Sequence, residues 1–327
     1  MNFYVGVTMK NVVFVNSAKL DFDNKLDFSL LSKLTTVTKY GASSDQEILQ
    51  RVKNQEIIIT KELPLSRDLI LAFPPSVKLI CEAGTGYNNI DIVAAREKNI
   101  AVCNVPSYST EAVAQLVITF ILNLSSSLIQ QQIMLHEKNF DNFTKHLQLP
   151  HFELQNKTLG VIGGTGAIGQ NVIKIALTLG MNILVYNRTP KPCDNPKVKF
   201  VTLEALLQQS DFITIHCPLS VDTKHLINKD RLKMMKSTAF IINTARGGII
   251  NETDLIEALQ NGEIAGAALD VQDPEPPELD NPLFTMDNVI LTPHIGWRRF
   301  ESRQRLIDLM AVNIEAFIQG KPINVVN

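Results

Sequence analysis

Three apolar segments of this 327-residue chain run into residues able to do chemistry. Ala239–Asn243 leads to Thr244-Ala245-Arg246-Gly247-Gly248. Ala265–Val271 holds Asp270 and leads to Gln272-Asp273-Pro274-Glu275. Asn288–Thr292 leads to Pro293-His294-Ile295-Gly296-Trp297. A guanidinium can grip a carboxylate with two parallel bonds and polarise a neighbouring carbonyl. An imidazole can hand a proton to an oxygen that gains charge. A carboxylate bonded to the other ring nitrogen orients that imidazole and favours its charged form. Arg246, His294 and Glu275 are therefore candidate catalytic residues, of types that would suit reduction of a 2-keto acid, where hydride goes to carbon and a proton to oxygen. Asp270 is assigned to the cofactor side. Taken singly, each has a plainer reading: Arg246 paired with a surface acid, Glu275 in a proline-stiffened loop, His294 as a structural ring.

The elements that must position these groups alternate between strand and helix. From Lys157 onward the strand candidates are Thr158–Ile162, Asn182–Tyr186, Phe212–His216, Ala239–Asn243, Ala265–Val271 and Asn288–Thr292. Most are continuous apolar runs, as expected of strands covered on both faces. Helical patterns at Gln170–Leu179, Leu203–Gln208 and Glu252–Gln260 lie between them, the last stopped by Gly262. In an open parallel sheet, ligands bind beyond the carboxyl ends of the strands, which is where Arg246, Asp270, Glu275 and His294 fall. The earlier part of the chain has shorter runs at Val12–Val15, Glu56–Thr60, Val77–Cys81 and Ile100–Cys103, with a helical pattern at Asp45–Val52. A long helix is predicted from about Thr110, capped by Ser109 or Thr110, and an amphipathic one from about Arg298 to Ile318. Glu137–Asn156 reads as a polar, irregular connection. The expected fold class is α/β: a doubly wound, Rossmann-type parallel sheet over roughly 105–295 beside a smaller α/β domain.

Thr158–Gln170 reads TLGVIGGTGAIGQ, so Gly164-Thr165-Gly166-Ala167-Ile168-Gly169 joins a strand to a helix as GxGxxG. In that context the glycines allow a tight turn, close approach of a pyrophosphate and close helix packing, and the anion sits at the positive helix end. Gly164, Gly166, Ala167 and Ile168 are the candidate dinucleotide contacts. After the next strand, dinucleotide binders that use NAD carry an acid for the ribose hydroxyls. Here Asn187-Arg188-Thr189 stands instead. An acid would repel a 2′-phosphate, whereas an amide tolerates it and a guanidinium holds it. NADP(H) is therefore favoured, with NAD(H) still usable if Asn187 bonds the diol.

Composition narrows the classes. Lys plus Arg total 31 against 33 Asp plus Glu, a net charge of −2, and 45% of residues are apolar. That balance argues against disorder and against a strongly basic nucleic-acid binder. The longest apolar run, Ala112–Leu124, is interrupted by Gln115, Thr119 and Asn123, too short and too polar for a bilayer. The start, MNFYVGVTMKN, lacks the pattern of a signal peptide. Cys81, Cys103, Cys193 and Cys217 are widely separated, which disfavours a zinc site or disulfides, so no metal is expected and the cytoplasm is the expected compartment.

The segments AGTGYNNID (Ala83–Asp91), NVPSYSTEAVAQ (Asn104–Gln115), GGTGAIG (Gly163–Gly169), HCPLSVDTKHLIN (His216–Asn228), INTARGGIIN (Ile242–Asn251), GAALDVQDPEPP (Gly266–Pro277) and TPHIGW (Thr292–Trp297) together resemble the D-2-hydroxyacid dehydrogenase family over nearly the whole chain. The resemblance implies a flavodoxin-like substrate domain from both chain ends, 1–104 and 298–327, around an NAD(P)-binding domain, 105–297. It implies a homodimer acting on a small 2-keto or 2-hydroxy acid. It makes Arg246, Glu275 and His294 catalytic and puts Asp270 at the nicotinamide. Thr85 and Gly86 become the amides for the substrate carboxylate, with Arg246, and Tyr108 an active-site tyrosine. Cys217, Pro218, Thr244 and Ala245 line the cofactor, with Gly296 beside them. The chain departs from the family pattern at Asn187, which replaces the usual aspartate, and in three further ways. The glycine loop has one extra residue, Gln115 replaces a common glutamate, and Gln272 replaces a common aromatic. Trp297 resembles some glyoxylate and hydroxypyruvate reductases, which favours those substrates. The alternative is a nucleotide-sensing binding protein or corepressor on the same fold.

Overall fold

Parallel strands take up both sheets of the computed structural model, which describes residues 10–189 and 195–327; most of the N-terminal segment read for a leader, and Cys193, lie outside them. The first sheet holds β1 (Lys10–Phe14), β2 (Thr35–Lys39), β3 (Ile57–Thr60), β4 (Leu79–Glu82) and β5 (Ala101–Cys103), in the order β2-β1-β3-β4-β5. The second holds β6 (Thr158–Ile162), β7 (Asn182–Tyr186), β8 (Val198–Phe200), β9 (Phe212–Ile215), β10 (Phe240–Asn243), β11 (Gly266–Leu269) and β12 (Val289–Leu291), in the order β12-β11-β10-β9-β6-β7-β8. The chain winds outward from β6 to the β8 edge, then returns to place β9 against the other side of β6. The direction of winding reverses between β6 and β9, which is where such sheets bind ligands.

Contacts divide the chain at Ser109/Thr110 and Trp297/Arg298. The first unit contains the five-stranded sheet and the C-terminal helix Phe300–Ile318. Arg303 on that helix is buried and forks onto Asp23 through two bonds of 2.8 and 2.7 Å. The guanidinium holds the Asp23 carboxyl down at about 2. The chain's last residues also add to the β5 edge, where Asn327 accepts from the Val102 amide and donates to the Ile100 carbonyl.

The second unit is the seven-stranded sheet with a core on each face. Alternate residues separate the two: Leu159, Val161, Ile183 and Val185 face the helices Thr110–Ser126 and Ala167–Thr178. Ile162, Leu184, Ile213 and Ile215 face Leu203–Gln209 and Glu252–Gln260. Phe212 and Phe240 stack at 5.3 Å between ring centres. Two of the four edge strands, β2 and β8, escape the apolar-run pattern because nearly all their residues are exposed or half-buried. The Glu137–Asn156 connection is less polar than expected: it includes a helix, Asp141–Thr144, with Phe140, Phe143 and Leu147 exposed. Among the described residues no single helix is long and apolar enough to cross a membrane, and no group of three potential ligands could hold a metal.

Candidate active site

β10, β11 and β12 are neighbours, so the loops leaving their carboxyl ends lie side by side. Asn243, buried at the end of β10, clamps the first loop with both arms of its amide. It accepts from the Ala245 amide at 3.0 Å and donates to the Arg246 carbonyl at 2.8 Å. Arg246 follows directly, its Nη1 donating to the Ala245 carbonyl at 2.7 Å. Gly247 then lies so close to the next loop that a Cβ would fall 2.0 Å from the Gln272 carbonyl oxygen, so no other residue fits there without displacing backbone.

The second loop delivers Glu275. Its Oε1 accepts from the Gln272 amide at 3.0 Å, and its Oε2 lies 2.9 Å from His294 Nδ1. The carboxylate accepts, so Nδ1 carries the proton and Nε2 is the nitrogen left to face a reactant. His294 itself adopts a left-handed backbone, φ 52°, a conformation that costs energy outside glycine and is held here by its surroundings. Asp270 provides the hold. It accepts from Thr292 Oγ1 at 2.6 Å and from the Ile295 and Gly296 amides at 2.8 Å each, while its own carbonyl accepts from the His294 amide. Burial raises the Asp270 carboxyl above its usual range, against the lowering effect of those donors. Asp270 and Gly296, predicted to touch the cofactor, are bonded to each other and fix the turn that carries His294. Asn243 and Thr292 were missed by sequence reasoning; a polar residue ending an otherwise apolar strand is the signal that could have found them.

At the β6 end, the turn glycine is Gly163, with φ +86°, one position before the Gly164 assigned to that role. A Cβ there would meet His216 and Cys217 backbone at 2.7–2.8 Å, so the loops after β6 and β9 close on one another at the switch point. Gly164 instead lets the loop pack on Val185, where a Cβ would approach to 2.8 Å. Gly166 caps the helix Ala167–Thr178 with no side chain of its own, leaving the first-turn amides, including Ile168's, for an anion. Asn187 is bonded to Thr165, while Arg188 and Thr189 are exposed, Arg188 3.8 Å from Asp222. Burial pulls His216 down to about 3 and pushes Cys217 up to about 11, so both are neutral. Pro218 is exposed, and the Thr244 hydroxyl is buried with no protein partner. A cradle of backbone donors, a close-packed glycine turn and an orphan hydroxyl together fit a dinucleotide.

Residues 118–296 match the family described as "D-isomer specific 2-hydroxyacid dehydrogenase, NAD binding domain". The chain belongs to the D-isomer specific 2-hydroxyacid dehydrogenases. It is 38% identical to a hydroxypyruvate reductase of Blautia hydrogenotrophica over 92% of this chain and 95% of that one. It is 36% identical to a glycerate dehydrogenase of Methylorubrum extorquens, covering 86% and 88%. The NADPH-dependent glyoxylate/hydroxypyruvate reductase of Sinorhizobium meliloti superposes with a TM-score of 0.83 at 26% identity, covering 98% and 97%. This dehydrogenase is an α/β oxidoreductase that acts on CH–OH donors with a nicotinamide coenzyme.

In the first unit of the dehydrogenase, Gly84-Thr85-Gly86 follows β4. Thr85 is exposed, its Oγ1 donating to the Val105 carbonyl at 3.0 Å and its carbonyl accepting from Asn104 Nδ2 at 2.7 Å. Gly86 is half-buried; Tyr108 is buried, and its carbonyl accepts from Arg305. Beneath the loop lies Glu82, fully buried, accepting from the Glu62 amide at 2.9 Å and Asn89 Nδ2 at 3.0 Å. Burial raises its carboxyl from 4.5 to about 7, with the neighbouring Lys61 ammonium opposing. Between those values the folded chain keeps a proton that the unfolded chain has lost, so this group's contribution to stability falls as pH rises through the window. The Tm of Glu82→Gln minus that of the wild type is therefore expected to grow by several degrees from pH 4.5 to pH 8. A pH-independent difference in thermal melts would refute it.

Proposed function

We propose that this enzyme reduces a small 2-keto acid to the D-2-hydroxy acid, glyoxylate or hydroxypyruvate foremost, with NADPH preferred over NADH. The observation that carries it is the His294 Nδ1–Glu275 Oε2 contact of 2.9 Å, with Arg246 leaving the strand next to the one that delivers Glu275. In this reading Arg246 grips the substrate carboxylate and polarises its carbonyl. His294 Nε2 gives its proton to the carbonyl oxygen and recovers it in the reverse direction, while Glu275 holds the ring and favours the charged form. A nicotinamide coenzyme, when bound, supplies the hydride. Thr85, Gly86 and Tyr108 serve the substrate. Asn187 in place of an acid, with Arg188 beside it, supports the NADPH preference.

Coenzyme oxidation against glyoxylate, hydroxypyruvate, pyruvate, phenylpyruvate and 2-ketoisocaproate tests the reading. The highest kcat/KM is expected for one of the first two, with NADPH ahead of NADH by about tenfold or more, the worth of one charged contact. Coenzyme binding without turnover of any acid would favour a nucleotide-sensing protein instead.

We also propose a homodimer. Leu128, Ile129, Ile133, Phe140, Phe143 and Leu147 are exposed within a stretch of about twenty residues, an apolar patch that a second copy would cover. Sedimentation is expected to give twice the 36.4 kDa chain mass, with Ile133→Glu plus Phe143→Asp giving the monomer; a monomeric wild type would end this proposal. The cytoplasm is the proposed compartment, where Cys81, Cys103 and Cys217, free thiols here, stay reduced.

A further inference from the structure

We propose that Thr165, the residue lying between the turn glycines and the helix cap, helps to select the coenzyme's 2′-phosphate; this rests on the NADPH reading above. The Thr165 amide donates to Asn187 Oδ1 at 3.1 Å, and Asn187 Nδ2 donates to Thr165 Oγ1 at 2.7 Å. A backbone N–H can only donate, so it fixes which way the Asn187 amide faces, and the Thr165 oxygen is then an acceptor. The hydroxyl's own proton must point to a different acceptor.

Asn187 directly follows β7, at the position that reads the adenosine ribose in this fold. A carboxylate there accepts from both ribose hydroxyls. In this enzyme Asn187 Oδ1 is turned onto the glycine loop. Three donors are left to meet a ligand: the Thr165 O–H, the second Asn187 N–H and the exposed Arg188 guanidinium. Asp222 lies 3.8 Å from Arg188 and is itself exposed. Three donors gathered at one place favour a phosphate monoester, whose oxygens accept, over a diol, which must also donate. The longer loop thus does two things: it takes up one lone pair of the Asn187 oxygen and adds a hydroxyl donor.

Titration calorimetry with NADPH, NADH, 2′,5′-ADP and 5′-AMP reads this without turnover. Thr165→Val keeps the shape and removes the hydroxyl. It is expected to weaken NADPH and 2′,5′-ADP about tenfold while NADH and 5′-AMP stay within about twofold, and Thr165→Ser is expected to restore the difference. Asn187→Asp is expected to reverse the preference. Equal weakening of all four ligands by Thr165→Val, or no weakening of any, overturns the role of Thr165 while a wild-type preference for NADPH leaves the coenzyme reading standing. A wild type that binds NADH more tightly overturns both.

Discussion

His294→Ala is expected to lower kcat by about 10²- to 10⁴-fold, the range of positioned proton transfer, and to leave the coenzyme dissociation constant unchanged. The ring is held at two points: Nδ1 against Glu275 Oε2 at 2.9 Å, and the backbone in a left-handed turn tied to Asp270. Removing the imidazole takes away the proton donor without touching the glycine turn after β6. Glu275→Gln keeps the size of the orienting group and loses its charge, so its kcat should fall between His294→Ala and the wild type. Pre-steady-state hydride transfer and equilibrium coenzyme titration check both variants. A His294→Ala enzyme with near wild-type kcat would take the proton-transfer role away from this residue.

Arg246→Ala is expected to reduce kcat/KM for the keto acid by about 10³-fold or more, since one guanidinium both holds the carboxylate and stabilises charge growing on the carbonyl oxygen. Arg246→Lys keeps the charge but not the planar fork, so it should recover only part of the loss. The loop around Arg246 is set by Asn243 and by the glycine at 247, and its own side chain adds only a bond to the adjacent Ala245 carbonyl, so either variant should fold. Steady-state kinetics with thermal melts decide the case. A change confined to coenzyme affinity would move Arg246 out of the substrate's reach.

Much of this was legible beforehand because burial on two faces writes itself into composition. β6, β7, β9 and β10 are apolar runs, and the structure moves their ends by no more than one residue. β2 and β8 were not legible, because nearly all their residues are exposed or half-buried and need not be apolar. The extra residue in the glycine loop was visible as a count. Its consequence was not: Thr165 and Asn187 lie 22 positions apart, and only the parallel pairing of β6 with β7 brings them together.

The sequence by itself determined the α/β class, the family and the residue types that carry the chemistry, since these depend on local pattern and on side-chain chemistry alone. The tertiary structure decided which groups serve each other. Asp270, expected at the coenzyme, is bonded into the His294 turn; Gly163, not Gly164, takes the positive-φ corner; Asn243 organises the Arg246 loop. Those roles come from hydrogen bonds between loops that leave different strands, and a pairing of that kind has no signature until the sheet has set the strands side by side.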